Sequence, residues 1–288
     1  MELRGAIAAA VTPLRDGGRH LDDDACAPLV RSLAAGGVDG LLACGTTGEG
    51  VLLSVDERRR VVESFLAARP SGFQVAVHAG AQTTSDTVAL AAHALEAGAD
   101  AVAVIAPPYF PLDPEELIRH FVTVANACEP LPFYIYEFAG RSGYAIPVDV
   151  VEQIRERSSN LRGMKVSDTP FAAIEPYLGL EALDVFIGKE PLVLQGIERG
   201  AVGAVSGLAT AFPEITAALV HDRSERANER VSLLRSGLQG IPFIAAMKEV
   251  LVARDVLTSA DVRPPLRGLT EDERSTVLAL SRDVGGVA

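Results

Sequence analysis

Lysine is rare in this chain, and one of its three lysines closes a short apolar run. Lys165 ends the segment LRGMK, on a stretch that reads as a buried strand. Burial disfavours an ammonium group, and a neutral amine is a nucleophile for ketones. Lys165 is therefore a candidate for forming an imine with a keto acid. The alternative is a lysine that pairs with an acid at the strand end or extends to solvent.

The other two lysines carry weaker signals. Lys189 lies between Gly188 and Glu190, a setting that predicts a rim charge paired with a nearby acid. Lys248 lies in the segment MKEVL, whose pattern predicts a solvated position on a helix.

The segment GTTGE, residues 45–49, combines two glycines with two hydroxyl side chains. Glycine permits tight backbone geometry, and hydroxyls with neighbouring amides can converge on a carboxylate at the start of a helix. Thr46 and Thr47 are therefore candidates for binding a keto-acid carboxylate. An ordinary strand-to-helix turn with capping threonines is the alternative.

Two further side chains could take part in such chemistry. Tyr136 ends an apolar run, where its hydroxyl could relay protons or simply be the wet tip of a packed aromatic. Arg141, in the segment GRSG, could bind a second carboxylate in a bidentate manner or be a surface loop charge.

Short apolar runs alternate with helical patterns along most of the chain, which favours parallel strands buried on both faces. Eight such units predict a (β/α)8 TIM barrel in residues 1–222, with the functional face at the carboxyl ends of the strands. A doubly wound open sheet is the alternative. Residues 223–288 predict a C-terminal helical extension of about three helices packed on the barrel. The predicted strands are 6–11, 40–43, 74–78, 101–105, 132–136, 161–166, 184–187 and 201–206. The predicted helices are 22–36, 55–69, 84–97, 114–127, 148–157, 169–178, 190–199 and 212–222.

Composition narrows the class of protein. The 26 Lys+Arg against 38 Asp+Glu give a net charge of −12, which disfavours nucleic acid or an anionic membrane as partner. Five scattered histidines and three widely spaced cysteines predict neither a metal site nor a disulfide framework. The N-terminus lacks the apolar region of a signal peptide, and no apolar run reaches the roughly 20 residues of a membrane span. We therefore expect a cytoplasmic protein.

These motifs together resemble one family, the pyruvate-dependent class I aldolases and synthases that include 4-hydroxy-tetrahydrodipicolinate synthase and N-acetylneuraminate lyase. The resemblance covers the whole chain. It rests on the AxxTPL start, GTTGEG, APPYF, the segment from Tyr136 to Arg141, GMK, and GxxGAVSG. It implies a barrel enzyme that uses a lysine Schiff base and needs no metal or organic cofactor.

The resemblance also implies roles for individual residues. Lys165 would form the Schiff base, Thr47 would bind the carboxylate of the 2-oxo acid, and Thr46 would join Tyr136 in a proton relay. Arg141 would receive the carboxylate of an aldehyde partner. Gly188 and Val205 would offer backbone groups near the substrate. A second aromatic, Tyr109 or Phe110, would complete the relay across a subunit contact in a homotetramer or homodimer.

The chain departs from the family at positions that bear on its substrate. Glu137 stands where asparagine is usual, which would add an acid near the second-substrate pocket. Val55 and Arg58 stand where lysine-inhibited synthases have histidines, which predicts no feedback inhibition by lysine. The expected activity acts on pyruvate or a related 2-oxo acid, most like 4-hydroxy-tetrahydrodipicolinate synthase. The alternatives are an aldolase or dehydratase of a sugar acid or hydroxy-oxo-acid, and a non-catalytic keto-acid-binding barrel.

Overall fold

A computed structural model of the chain describes residues 3–286. Within them, eight parallel strands form a closed barrel, in which β1 pairs with both β4 and β10. The predicted barrel is confirmed, and the open sheet is excluded. The short strands β2 and β3 form a separate antiparallel pair that the sequence did not predict, because each is only two residues long. The strands are β1 (Gly5–Ala9), β2 (Leu14–Arg15), β3 (His20–Leu21), β4 (Gly40–Ala43), β5 (Gln74–His78), β6 (Ala101–Ile105), β7 (Phe133–Glu137), β8 (Leu161–Val166), β9 (Asp184–Ile187) and β10 (Gly203–Ser206).

Residues on the two faces of the barrel strands pack into two separate clusters. One cluster joins the outward side chains to the helices. The smaller one fills the barrel interior, and includes Ile7, Leu42, Tyr134, Phe186 and Val205. Burial of both faces explains why these strands are continuously apolar.

The helices that surround the barrel begin where capping residues allow. Asp113 accepts from the backbone of Glu116 and caps α4, whose predicted range is confirmed. The predicted helix 169–178 is wrong, because Pro170 and Pro176 remove backbone donors and leave only a 3-10 turn and α7. The helices are α1 (Cys26–Ala35), α2 (Val55–Ala68), α3 (Thr84–Glu96), α4 (Pro114–Ala127), α5 (Ala139–Ser142), α6 (Val148–Arg157), α7 (Glu175–Leu178), α8 (Val193–Glu198), α9 (Pro213–His221), α10 (Glu225–Gly237), α11 (Phe243–Ala253) and α12 (Glu271–Asp283).

The C-terminal extension consists of α10, α11 and α12, as predicted. Helix α10 packs against α9 and against the 3-10 turn Glu190–Leu192 that follows β9, and α11 packs against α12. The extension therefore reaches the carboxyl-terminal face of the barrel. Its division from the barrel at residue 222 stays a prediction. In residues 3–286 every helix is too short or too polar to cross a bilayer.

Candidate active site

A cavity of about 250 Å³ lies at the carboxyl ends of the barrel strands. Seven of the nine predicted site residues line it, whereas Glu137 and Tyr109 do not. The lining residues are Ala9, Thr46, Thr47, Tyr136, Phe138, Arg141, Lys165, Ser167, Gly188, Lys189, Glu190, Val205, Gly207, Arg235 and Phe243. The strand ends thus converge as the barrel geometry requires.

Lys165 is nearly buried in this cavity, with 7% of its surface exposed. Its register partner on β7 is Tyr136, and its Nζ lies 3.9 Å from the centroid of the Tyr136 ring. Among the described residues no carboxylate lies within 4.0 Å of the ammonium group. Lys165 is therefore neither ion-paired nor extended to solvent, and its amine is available for chemistry.

Gly188, at the end of β9, makes room for the Lys165 side chain. A Cβ at this position would fall 2.9 Å from Cε of Lys165 and would overlap Oγ of Ser167. Any other residue would require the Ser167 and Lys165 side chains to move. Glycine is needed here for close approach rather than for a turn.

The hydroxyl of Tyr136 has a partner across the cavity. Oγ1 of Thr46 and the Tyr136 hydroxyl are 3.2 Å apart and share a hydrogen bond. The nearby His78 stacks edge-on against the Tyr136 ring, and burial lowers its pKa to about 3, with Arg58 and Lys165 adding to the effect. His78 is therefore neutral and is a poor base, which leaves Tyr136 and Thr46 as the groups suited to move a proton.

The GTTGE loop is held in a tight turn. The Thr12 hydroxyl donates to the carbonyl of Gly48 at 2.6 Å, and a Cβ on Gly50 would overlap the carbonyl of Cys44. Glu49 adopts a left-handed conformation with φ 56°, and its N–H donates to the carbonyl of Thr46 at 3.2 Å. These contacts fix the backbone that carries Thr46 and Thr47.

The prediction that Lys248 is solvated is wrong. Its side chain is fully buried and donates to Oε1 of Glu49 and to the carbonyl of Asp261, both at 2.6 Å. Burial lowers the pKa of Lys248, although Glu49 acts in the opposite direction. The error arose because α11 packs against the GTTGE loop, a contact that the local helical pattern does not reveal.

The cavity has a positive character. Glu190 is the one acid among the described residues that line it, and it is fully buried. Arg235 donates two hydrogen bonds to it, at 2.6 and 2.9 Å, and Oγ of Ser206 donates a third. Burial alone would raise the pKa of Glu190, but Arg235 outweighs it and the pKa is lowered. Glu190 is thus ionised, and its carboxylate oxygens are already hydrogen-bonded to Arg235 and Ser206.

Two cations at the cavity lack such a partner. Arg141 is exposed, and its guanidinium lies 5.8 Å from the Phe138 ring. The prediction that Lys189 pairs with a nearby acid is wrong, because no carboxylate in residues 3–286 lies within 4.0 Å of it or of Arg141. The one acid beside Lys189, Glu190, is taken by Arg235. Both cations are therefore available to an anionic ligand.

Glu137 does not line the cavity, and its predicted position beside the second substrate stays a prediction. Successive strand residues point to opposite faces, and Tyr136 takes the inward one. The buried Glu137 carboxylate accepts from the N–H of Ile146 at 3.0 Å. Burial raises its pKa to about 8, and the nearby Asp168 adds to the effect.

We expect Glu137 to make stability depend on pH. The pKa is about 8 in the folded chain against an ordinary 4.5, so folding takes up a proton between these values. This contribution is complete below pH 4.5 and is lost as pH rises through about 8, by up to about 1.4 kcal/mol per pH unit. Urea unfolding of wild type and Glu137→Gln at several pH values measures this effect. The free energy of unfolding of wild type, relative to that of the variant, should fall as pH rises.

A matched control is Glu271→Gln, which replaces a largely exposed carboxylate. Its stability difference from wild type should change little over the same range. A Glu137→Gln difference that is independent of pH would contradict the raised pKa.

Tyr109 and Phe110 lie on the loop between β6 and α4 and do not line the cavity of their own chain. Their exposed fractions are 83% and 70%, and their rings meet edge to face at 4.8 Å. Tyr109 has a φ of 87°, a backbone conformation that residues other than glycine rarely adopt. The role of either ring stays a prediction.

Eight residues that line the cavity were not among the predicted site residues: Ala9, Phe138, Ser167, Lys189, Glu190, Gly207, Arg235 and Phe243. Ser167 could have been found, since it follows Lys165 by two positions and shares its face of the chain. Arg235 and Phe243 come from the extension, where the Arg235 guanidinium lies 4.1 Å from the Phe243 ring centroid. No local pattern signals that these helices reach the cavity.

Comparison with known proteins agrees with this geometry. The sequence pattern of the Dihydrodipicolinate synthetase family matches residues 2–283. An uncharacterized DapA-like lyase of Halobacterium salinarum is 32% identical, with 98% of this chain and 94% of that protein covered. The 4-hydroxy-tetrahydrodipicolinate synthase of Phenylobacterium zucineum is also 32% identical, with 98% and 97% covered. The structure of Proteus mirabilis N-acetylneuraminate lyase superposes with a TM-score of 0.91 at 26% identity, covering 100% of both chains. The chain therefore belongs to the dihydrodipicolinate synthetase family, and the expected fold and class of enzyme, a class I lyase, are confirmed.

Proposed function

We propose that this enzyme joins pyruvate, or a related 2-oxo acid, to an aldehyde that carries an anionic group, through an imine on Lys165. Its activity would be most like that of 4-hydroxy-tetrahydrodipicolinate synthase. The observation that carries the proposal is the unpaired Lys165 amine 3.9 Å from the Tyr136 ring, whose hydroxyl bonds to Thr46. A nucleophile and a proton relay thus face the same small cavity.

The steps follow from these positions. The Lys165 amine attacks the keto carbon, and the carbinolamine loses water to form the imine. Loss of a proton from C3 gives an enamine, whose C3 then bonds to the aldehyde carbon while the aldehyde oxygen takes up a proton. Water hydrolyses the imine, which releases the product and restores the amine. Tyr136 and Thr46 move the protons, and Thr47 with the loop amides holds the carboxylate of the 2-oxo acid.

Charge at the cavity supports an anionic second substrate. Arg141 and Lys189 have no acidic partner among the described residues, and Glu190 is occupied by Arg235. Since the protein carries a net charge of −12, the cavity is a local exception that would attract a carboxylate. The backbone of Gly188 and Val205 completes the wall beside Lys165.

One other activity within the family is a candidate, and the non-catalytic alternative is not. Likeness to N-acetylneuraminate lyase supports an aldolase or dehydratase of a sugar acid or hydroxy-oxo-acid, which would share the imine but use another aldehyde. A non-catalytic keto-acid-binding barrel is disfavoured, because binding alone needs neither a free amine nor a hydroxyl relay.

The choice of aldehyde is testable with a panel. Pyruvate is incubated with aspartate semialdehyde or succinic semialdehyde and, in parallel, with neutral aldehydes and sugars of similar length, and product formation is followed by NMR. We expect the acid aldehydes to react best. A preference for neutral sugars would overturn the assignment of an anionic aldehyde and favour the sugar-acid activity, whereas no reaction with any aldehyde would contradict the proposed condensation.

The variant Arg141→Gln, assayed with the same aldehydes, tests whether Arg141 binds the anionic group. Losing a hydrogen bond to a charged group is worth about 1.5–3 kcal/mol, so kcat/KM for the acid aldehydes should fall about 10- to 100-fold. The values for any neutral aldehyde that reacts should change less than about twofold. Arg119→Gln, which changes an arginine on the outer helix α4, serves as the control. Equal losses for both aldehyde classes would contradict the role of Arg141.

We propose that the enzyme is a cytoplasmic homotetramer or homodimer in which Tyr109 reaches the cavity of a partner copy. The strained backbone of Tyr109, with φ 87°, supports this, because such strain clusters at functional sites. We expect Tyr109→Phe to lower kcat by about 10²-fold, the lower end of the range for general acid–base groups.

The matched variant for this test is Phe110→Leu, which changes the neighbouring exposed ring. Its kcat should stay within about threefold of wild type, provided that sedimentation shows the same oligomer. A larger loss in Phe110→Leu than in Tyr109→Phe would contradict the assignment of the relay to Tyr109.

The absence of feedback inhibition by lysine stays a prediction. Arg58, at one of the two positions concerned, is buried and donates to the carbonyls of His78 and Gly80. Its side chain is thus committed to the barrel wall. Val55 is the first residue of α2.

A further inference from the structure

The C-terminal extension meets the GTTGE loop at a fully buried ion pair. Neither Lys248 on α11 nor Glu49 in the loop has any exposed side-chain surface. Lys248 also donates to the carbonyl of Asp261, and Oε2 of Glu49 accepts from the N–H of Arg263 at 2.6 Å. One pair of charges therefore joins the GTTGE loop to two segments of the C-terminal extension, α11 and residues 261–263.

Stability alone is a weak reason for such a pair. Moving two charges out of water costs several kcal/mol for each ion, and well-packed neutral residues are often as stabilising as a buried ion pair. A directional contact, however, fixes geometry in a way that apolar packing does not. The question is therefore what this pair holds in place.

The pair fixes the turn that carries the two threonines. The N–H of Glu49 donates to the carbonyl of Thr46 at 3.2 Å, and its carbonyl accepts from the N–H of Leu52 at 2.8 Å. The backbone of Glu49 is left-handed, a conformation that residues with a side chain rarely adopt, so its surroundings must hold it in place. Holding both carboxylate oxygens of Glu49 therefore limits the positions of Thr46 and Thr47.

The same pair also contacts segments that line a neighbouring cavity. A second cavity beside the threonines is lined by Phe243, at the start of α11, and by Val262 and Leu266, within and just after the segment that contacts the pair. Movement of α11 relative to the loop would alter both walls together. The Lys248–Glu49 pair thus contacts both the turn that carries the threonines and the wall of this neighbouring cavity.

We propose that Lys248 and Glu49 are positioning residues: they lock the C-terminal extension onto the GTTGE loop, and so set the affinity of the site for the carboxylate of the 2-oxo acid. This inference rests on the proposed function for its substrate. Neither side chain lines the cavity around Lys165, so both act through Thr46 and Thr47.

The test separates positioning from stability by removing one charge and then both. Lys248→Met leaves Glu49 buried without a counterion and should unfold at a lower urea concentration. The double variant Glu49→Gln with Lys248→Met is neutral and keeps an oxygen for the Arg263 N–H, so it should recover most of the lost stability. We nevertheless expect its KM for pyruvate to stay at least about tenfold above wild type, with kcat less affected.

Glu249→Gln is the matched control, since Glu249 lies next to Lys248 on α11 and pairs with Arg274 instead of the loop. Its KM should match wild type. A double variant with wild-type stability and wild-type KM would overturn the proposal and make the pair purely structural.

Hydrogen–deuterium exchange supplies a readout that does not need activity. Amides of residues 45–50 should exchange faster in the double variant, while those of β7 and β8 stay protected. Unchanged exchange at residues 45–50 would overturn the positioning role. If wild type forms no imine with pyruvate but exchange at the loop responds as expected, the proposed function fails and the positioning role stands. If the double variant does not fold, exchange at residues 45–50 is measured in Glu49→Gln alone, where faster exchange supports the positioning role and unchanged exchange contradicts it.

Discussion

Lys165→Met should reduce kcat by at least about 10³-fold, the scale of loss when a nucleophile is removed, and should leave the barrel folded. Methionine matches the length of the lysine side chain but has no amine, so the imine cannot form. Because the substitution removes a nearly buried cation without an acidic partner, folding should be unaffected or slightly favoured. Steady-state turnover with pyruvate, together with urea unfolding, measures both effects.

Lys189→Met is the matched control, because it makes the same substitution at another lysine that lines the same cavity. It should retain imine formation with pyruvate and lose efficiency only towards the anionic aldehyde. Turnover in Lys165→Met within tenfold of wild type would contradict the assignment of the nucleophile.

Glu190→Leu should lower the free energy of unfolding by about 3 kcal/mol, since removing one partner of a buried network leaves the others unsatisfied. Glu190 accepts from Arg235, from Oγ of Ser206 and from the N–H of Leu208. Its loss would leave buried donors at the end of β10 and would remove the ion pair that joins α10 to the turn after β9. Urea unfolding measures the change, and Glu190→Gln should restore part of the stability because it keeps an acceptor.

The control for this prediction is Glu175→Gln, which removes an ion pair with Arg199 on the surface. Both of those side chains are more than half exposed, at 54% and 58%, so the loss should stay below about 1 kcal/mol. Equal destabilisation by the two variants would show that the Glu190 network contributes no more than a surface pair.

The barrel could be predicted because each strand is recognisable from the pattern of its own residues. Strands buried on both faces are apolar at consecutive positions, and five of the eight predicted barrel strands have the observed bounds, including the one that carries Lys165. The carboxyl ends of parallel strands must then meet at one face. Thr46, Thr47, Tyr136 and Lys165 follow from that rule, and the structure brings them together.

The remaining features depend on contacts that no local pattern encodes. Lys248 and Glu49 are 199 positions apart, and Arg235 and Glu190 are 45 apart. Helix α11 is apolar except for Lys248 and Glu249, but its sequence does not show which distant loop lies against Lys248. Glu137 is a different case, because side chains alternate along a strand and Glu137 must point to the opposite face from Tyr136. That its side chain does not line the cavity could therefore have been predicted.

The imine on Lys165 is tested most directly by borohydride reduction in the presence of pyruvate, followed by mass spectrometry of the peptides. Reduction converts an imine to a stable secondary amine, so the modified lysine is identified without any assumption about the aldehyde. We predict one reduced pyruvate adduct per chain, on Lys165, and none in Lys165→Met. No adduct, or an adduct on Lys189 or Lys248 instead, would contradict the proposed mechanism.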